Sequence, residues 1–423
     1  MAVLFYNIGI FFFNLLLVVA SLFNEKAKKI IAGRKETWRK INRFGKQNSK
    51  RVVWFHAASV GEFEQGRPVM EKLKTNFPDV AIVLTFFSSS GYELRKNYEG
   101  ADLIVYLPSD SASNAKRFLE SVQPSVAIII KYEFWFHFIN ESKKLGVHLL
   151  SVSTILRASQ PFFKFYGGLH RSMLRSFDHF FVQDENTHTL LHSIGVEQST
   201  VSGDTRFDRV VEIAKVKKEI EAVKSFKGNE KLMVLGSVWP SDMEMLTPFI
   251  SKYHKEIKFV IAPHNVEKKE VDDLVVKLGL EVMRYSERET KNPEDYLTLV
   301  IDNIGLLSSI YGYADYAYVG GAFRKTLHNT LEAAVFGIPV FFGDDPTNQK
   351  FREAIELEKA GAGFAIPNAD ELTSKFQEVC LDEVRYEKVG KLAADYVRNN
   401  TGATEKIVRY LSELRVLTKK ESE

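Results

Sequence analysis

A chain of 423 residues, 45% hydrophobic and 26% charged, has globular composition and more length than one ordinary core fills, so two domains of ~150–200 residues each are expected. The lone cysteine, Cys380, excludes an internal disulfide framework and a Cys-rich zinc site, and accords with a reducing compartment. The formal net charge of +3 is unremarkable, and no nucleic-acid partner is expected.

Residues 3–23 carry no charge, and Asn7, Asn14 and Ser21 interrupt an otherwise apolar run. As a helix rising ~1.5 Å per residue the run would measure roughly 30 Å, the thickness of a hydrocarbon core. Residues 26–51 then hold eleven Lys and Arg against Glu36 alone. Basic flanks stay cytoplasmic, so the reading is an N-terminal membrane anchor with the body on the cytoplasmic side. A cleaved signal is disfavoured: no Lys or Arg precedes the run, and no small-x-small site follows Ala20. The basic segment is either a solvated linker or a stripe that holds acidic headgroups.

Beyond residue 50, short β-branched and aromatic runs alternate with amphipathic stretches, the pattern of a parallel sheet wrapped in helices. Strands are predicted at 51–56, 80–85, 103–106, 125–130, 148–152, 179–182 and 200–202, with helices at 62–76, 89–97, 111–122, 133–145 and 185–194. A charged helical stretch, 208–224, has no strand signal and closes on Lys227-Gly228-Asn229. The alternation restarts with strands at 231–236, 257–262, 298–301, 316–319 and 339–341. Helices are predicted between them at 242–253, 266–278, 305–312, 328–336 and 351–360, then at 370–379, 383–399 and 404–419. The fold class is therefore α/β: two Rossmann-like domains facing across a cleft, behind a membrane-anchor helix. The segments are 1–24, 25–210, a linker at 211–229, 230–400, and a C-terminal helix at 401–423 that packs back on the first domain.

Ligands of open α/β sheets bind beyond the carboxyl ends of the strands, which directs attention to strand-to-helix turns. The first turn reads Ser59-Val60-Gly61-Glu62. Glu62 falls at a helix start, where the dipole favours an ionised carboxylate; it is either a general base or an ordinary structural Glu. Lys131, Glu133 and Trp135 share one strand-end loop, and Gly203-Asp204-Thr205-Arg206-Phe207-Asp208 occupies another. Lys131 and Arg206 are candidates to offset charge on a departing phosphate, or are surface cations. In the second half, Pro263-His264 closes a strand and Ile304-Gly305-Leu306 opens a helix. Gly320-Gly321 ends another strand, followed by Arg324, Lys325, His328, Asn329 and Glu332. Glycines before a helix start suit a phosphate or carboxylate, and Glu332 suits ribose hydroxyls; the plainer reading is clearance between helix and sheet. No phosphate-loop motif, His-Glu-x-x-His or Gly-x-Ser-x-Gly elbow occurs, and no metal ligand set is assigned.

Taken jointly and in order, the Ser59–Glu62 turn, the stretch ending at Asp208, Tyr313 through Ala322, and His328-Asn329 before Leu331-Glu332-Ala333-Ala334 resemble the 3-deoxy-D-manno-octulosonic acid (Kdo) transferases. The resemblance implies a GT-B enzyme that moves Kdo from CMP-Kdo to a lipid A precursor, lipid IVA, at the inner face of the cell inner membrane, with inversion and without cofactor or essential metal. By the same resemblance Glu62 is the base that deprotonates the acceptor hydroxyl, in an acceptor domain at 25–210. Lys131 and Arg206 take transition-state-stabilising positions. Pro263, His264, Ile304, Gly305, Leu306, Asn329, Thr330, Leu331 and Glu332 fall where the family contacts CMP, in the domain at 230–400. The chain departs from the family at Leu327, where many members have Gly, at Pro263, often Arg, and at Lys131, acidic in some members. Rival readings are a membrane-associated UDP-sugar transferase of the same fold and an anchored binding protein without turnover.

Overall fold

The computed structural model describes residues 1–423 apart from 217, 280, 415 and 418–423. The chain divides into two units, one of residues 1–208 with 401–423 and one of residues 209–400.

The first unit is built on seven parallel strands: β1 (Arg51–Ala57), β2 (Val80–Phe86), β3 (Leu103–Tyr106), β4 (Pro124–Ile130), β5 (His148–Thr154), β6 (His179–Val182) and β7 (Ser199–Val201). They lie in the order β3-β2-β1-β4-β5-β6-β7. Both faces are covered, which is why the strands read as continuous apolar runs instead of alternating ones. Along β1 the side chains sort by period two: Val52 and Trp54 join a core with Phe118 and Phe138, whereas Val53 and Phe55 join one with Phe63 and Phe86. Ile407, Val408 and Leu411 of the helix Ala403–Glu413 complete the second core, so the end of the chain belongs to this unit.

Two helices precede β1. Glu25–Gln47, read as a solvated stripe or linker, is a helix capped by Asn24, whose side chain accepts from Lys26 and Ala27 amides. Ala27, Ile30 and Ile41 bury its inner face; most of its cations are exposed, while Arg34 turns in over the Phe87 ring and Lys40 donates to the Tyr92 hydroxyl. Gly33 lets this helix approach β3: a Cβ there would lie 2.1 Å from Tyr106 Cε2. Ala2–Ala20 is a helix of mean hydropathy 2.3, long and apolar enough to cross a membrane by length and composition. Its polar residues are bound to the sheet domain. Tyr6 donates to Asp110 at 2.5 Å, Asn14 to Ser109 at 2.5 Å, and Asn7 Oδ1 lies 2.6 Å from His137 Nε2. Leu4, Phe5, Phe11 and Leu16 stay exposed.

The second unit repeats the plan with β8 (Leu232–Val238), β9 (Lys258–Pro263), β10 (Val282–Arg284), β11 (Thr298–Val300), β12 (Tyr316–Val319), β13 (Val340–Gly343) and β14 (Gly363–Ile366). All pair in parallel, in the order β10-β11-β9-β8-β12-β13-β14. The predicted helix at 328–336 is a single turn, Leu331–Ala334, and the preceding residues form a loop. The charged stretch at 208–224 is two helices, Thr205–Lys215 and Glu221–Lys227. The predicted end of the last helix, at 419, lies outside the described residues.

Strand order reverses between β1 and β4 in the first unit, and between β8 and β12 in the second. Such switch points open crevices at the carboxyl ends of the strands.

Candidate active site

Each switch point collects chemistry-bearing side chains. At the first, β1 runs into the helix Val60–Asn76, with Ser59 as its N-cap. Glu62 sits in the first turn, only 7% exposed, and its Oε2 accepts from the Ala58 amide at 2.5 Å. Burial pushes its carboxyl above the ordinary range; the Ala58 amide, the Lys131 charge and the Ser59 amide oppose this without cancelling it. The helix-start dipole thus loses to desolvation. The outcome is a carboxylate with stronger proton affinity than an exposed Glu.

Lys131 is the residue after β4, in the left-handed region at φ +61. Its amide donates to Val152 O at 2.9 Å and its carbonyl accepts from Ser151 Oγ at 3.0 Å, which pins this strained backbone. Its charge acts on Glu62 and on Asp204. Arg206 is drawn into the same group by Asp204, which accepts from Arg206 Nε at 3.0 Å and from a terminal guanidinium nitrogen at 2.8 Å. Gln65, one turn beyond Glu62, donates to Asp204 at 3.0 Å. Burial acts to raise Asp204, but Arg206 and then Lys131 hold it below the usual carboxylate range. Lys131 therefore acts on both Glu62 and Asp204, and Asp204 holds Arg206 and Gln65; the sequence named Asp204 only within its stretch and did not single out Gln65.

Glu133 is a further member that sequence reasoning named only as part of its loop. Burial, then the nearby Glu62 charge, push its carboxyl up to about 7. The backbone on its far side is fixed by aromatics: Phe134 packs on Phe162 and Phe177, and Trp135 stacks on Phe87.

At the second switch point the organising residue is Asp242, fully buried and not anticipated from sequence. Its Oδ2 accepts from the amides of Trp239, after β8, and Gly321, after β12, at 2.8 and 3.0 Å; Oδ1 accepts from the Tyr318 hydroxyl at 3.0 Å. Gly320 is required by the fold itself, since a Cβ there would lie 2.6 Å from Ser237 O. The glycine pair therefore clears the end of β8. Above it, Trp239 stacks on His264 with ring centroids 4.1 Å apart, and Arg324 lies 5.7 Å from the Trp239 centroid. A cavity of about 140 Å³ opens beside them, lined by Trp239, Met243, Pro263, His264, Leu274 and Lys277 among others.

The remaining residues singled out in this half also lie beyond strand ends. Pro263 ends β9 and His264 follows it. Ile304, exposed, Gly305, at φ +94, and Leu306 lie between β11 and the helix Leu307–Ile310. Asn329 accepts from the Leu331 amide at 3.2 Å; Thr330 and Leu331 are buried, and Glu332 lies in the short helical turn. Among the described residues no group of three or more His, Cys, Asp or Glu is placed to hold a metal ion.

The family model described as 3-deoxy-D-manno-octulosonic-acid transferase (kdotransferase) matches residues 35–209. A 3-deoxy-D-manno-octulosonic acid transferase of Chlamydia trachomatis serovar A is 30% identical over 325 residues, 74% of this chain and 75% of the relative. Proteins of the same description from Aquifex aeolicus and Rickettsia bellii are 26% and 24% identical, over 79% and 92% of this chain and 87% and 94% of theirs. Among solved structures, UDP-GlcNAc 2-epimerase from Neisseria meningitidis bound to UDP-GlcNAc superposes with a TM-score of 0.61, at 16% identity over 86% of this chain and all of that one. A UDP-N-acetylglucosamine 2-epimerase from Listeria monocytogenes does so at 0.60 and 12%, over 87% of this chain and 96% of that one. These structural likenesses establish the fold: two parallel α/β units of the GT-B class.

Proposed function

The chain belongs to the 3-deoxy-D-manno-octulosonic acid transferase family, and from that premise we propose that it transfers Kdo from CMP-Kdo to a lipid A precursor such as lipid IVA, with inversion. The observation that carries the reading is Glu62: a buried carboxylate of raised proton affinity at a switch point, beside Lys131. In this reading Glu62 takes the proton of the acceptor hydroxyl as the hydroxyl oxygen bonds to the anomeric carbon of Kdo. The bond from that carbon to phosphate breaks, and CMP leaves with the electron pair. Lys131, and Arg206 held by Asp204, supply positive potential near the developing charge. Pro263, His264, residues 304–306 and residues 329–332 contact CMP. The donor is a substrate, and the scheme uses no cofactor.

The apolar helix and the cationic helix behind it support a cytoplasmic-side site tethered to the inner membrane, where tethering raises the effective concentration of a lipid acceptor. The test is incubation with CMP-Kdo and a tetra-acylated lipid A precursor, reading product mass. The expected product carries Kdo, and Glu62→Ala loses at least ~100-fold in rate. An unchanged rate in Glu62→Ala removes the base assignment. Protection from thermal unfolding by UDP and not by CMP removes the donor.

A further inference from the structure

Two imidazoles meet where β9 ends and the loop after β12 returns. His264 Nδ1 and His328 Nε2 lie 3.0 Å apart. Such a contact needs one donor and one acceptor, so at least one of the rings is neutral. The rings lie 4.8 Å apart between centroids, tilted by 40°, with Trp239 stacked on His264. No carboxylate bonds either ring among the described residues. Glu270, the acid acting on His264, is bonded by Asn265 Nδ2 at 2.7 Å. Asp242 spends its oxygens on Trp239, Gly321 and Tyr318. Asp273 and Lys277 line the same cavity as His264, and Arg324 lies by Trp239. Three buried donors of the adjoining turns, Trp239 Nε1, Ser241 Oγ and Thr330 Oγ1, have no hydrogen-bond partner among the described residues. The arrangement is a set of donors around a neutral imidazole pair, with nothing acidic bound to it.

We infer that His264 and His328 act as one proton-accepting unit that recognises the phosphate of CMP, taking up a proton from solvent when a monoester dianion binds and none when a singly charged diester binds. This deepens, and rests on, the reading of the second unit as the CMP site. Burial and the neighbouring His264 bring His328 down to about 4, and burial also lowers His264, so the empty pair is neutral at pH 7. An opposite charge within ~4–6 Å moves a titration midpoint by ~1–3 pH units, and a dianion brings two such charges. The intact donor is a phosphodiester with one phosphate charge. Released CMP is a monoester whose second ionisation lies near ~6, so at pH 7.5 it is mainly the dianion. The intact donor also carries the Kdo carboxylate on its anomeric carbon, so what the pair answers to is the second charge of the phosphate itself: its proton offsets what the phosphate gains as the sugar leaves. No substrate bond changes in this step: one proton moves from water to an imidazole nitrogen.

The experiment is calorimetric titration of the full-length protein with CMP at pH 7.5, in two buffers of different ionisation heat, alongside the methyl ester of CMP. Wild type is expected to take up between about half and one proton with CMP, and none with the methyl ester. Its CMP affinity rises about three- to tenfold from pH 8 to 7. His328→Asn and His264→Asn, each checked by its melting temperature, bind CMP more weakly with no uptake. CMP binding by wild type without uptake, or uptake retained in both variants, overturns this inference and leaves the donor assignment standing. A protein that binds no CMP at all overturns the donor assignment and this inference together.

Discussion

Glu62 and Glu133 share a switch point in which water is scarce, and they respond to it differently. Glu62 has an amide, a lysine and a helix start to hold its charge, so burial raises it only against opposition. Glu133 has burial and the Glu62 charge acting in the same direction, which brings it to about 7. A carboxyl raised in the folded protein contributes stability that is fully present below its unfolded value near ~4.3 and is lost as pH climbs through ~7. Glu133→Gln removes that dependence. It is expected to raise the melting temperature at pH 8 and to leave it unchanged at pH 4; a variant that melts below wild type at pH 8 contradicts the assignment. Glu62, in a first helical turn, and Glu133, in a strand-end loop, both stand at strand ends that the sequence already marked. The bond between Gln65 and Asp204 was not legible, because the two are far apart in sequence, Gln65 belongs to no motif, and Asp204 was named only within the stretch ending at Asp208. Asp242 escaped notice for the opposite reason: an acid in the first turn of a helix is ordinary, and only its bonds to two separate strand-end loops distinguish it.

At the level of elements, legibility follows burial. Strands covered on both faces, such as β1, β2 and β4, announce themselves as uninterrupted apolar runs, and their observed bounds depart from the predicted ones by a residue at an end. The edge strands β10 and β14 did not, since Val282–Arg284 is three residues long and Gly363–Ile366 begins with a glycine. The helix Glu25–Gln47 was obscured by its own cations, although Ala27, Ile30 and Ile41 carry helical spacing on its inner face. Gly33 is the test of how that helix sits. Alanine in place of glycine in a helix interior ordinarily adds up to ~1 kcal/mol of stability. Here the new methyl would overlap the Tyr106 ring, and overpacking of that kind costs ~1–3 kcal/mol. Gly33→Ala is therefore expected to lower the melting temperature of the full chain. A rise would mean that the helix does not rest on β3.

For the whole molecule, the proposed attachment belongs to the first unit. The helix Ala2–Ala20 presents two chemistries: polar side chains bound to Asp110, Ser109 and His137, and apolar ones facing outward. Asp110 is held in turn by the amides of His137 and Phe138, at the start of the helix that follows the Lys131–Trp135 loop. The apolar helix is thus tied to the segment that continues from the candidate catalytic loop. Phe5, Phe11 and Leu16 are 68%, 64% and 66% exposed. Moving each from water into lipid is worth ~1.5–3 kcal/mol, so three together contribute roughly 5 kcal/mol or more to membrane partition. Replacing all three by Ser leaves the polar bonds to the domain in place. The variant is expected to lose at least ~100-fold in partition onto lipid vesicles. CMP binding, which is proposed for the other unit, should be unchanged, while transfer to a lipid-embedded acceptor falls and transfer to a detergent-dispersed one is retained. Cosedimentation with vesicles, measured with both transfer assays, separates attachment from chemistry. Full vesicle binding by the triple variant would mean that some other surface carries the attachment.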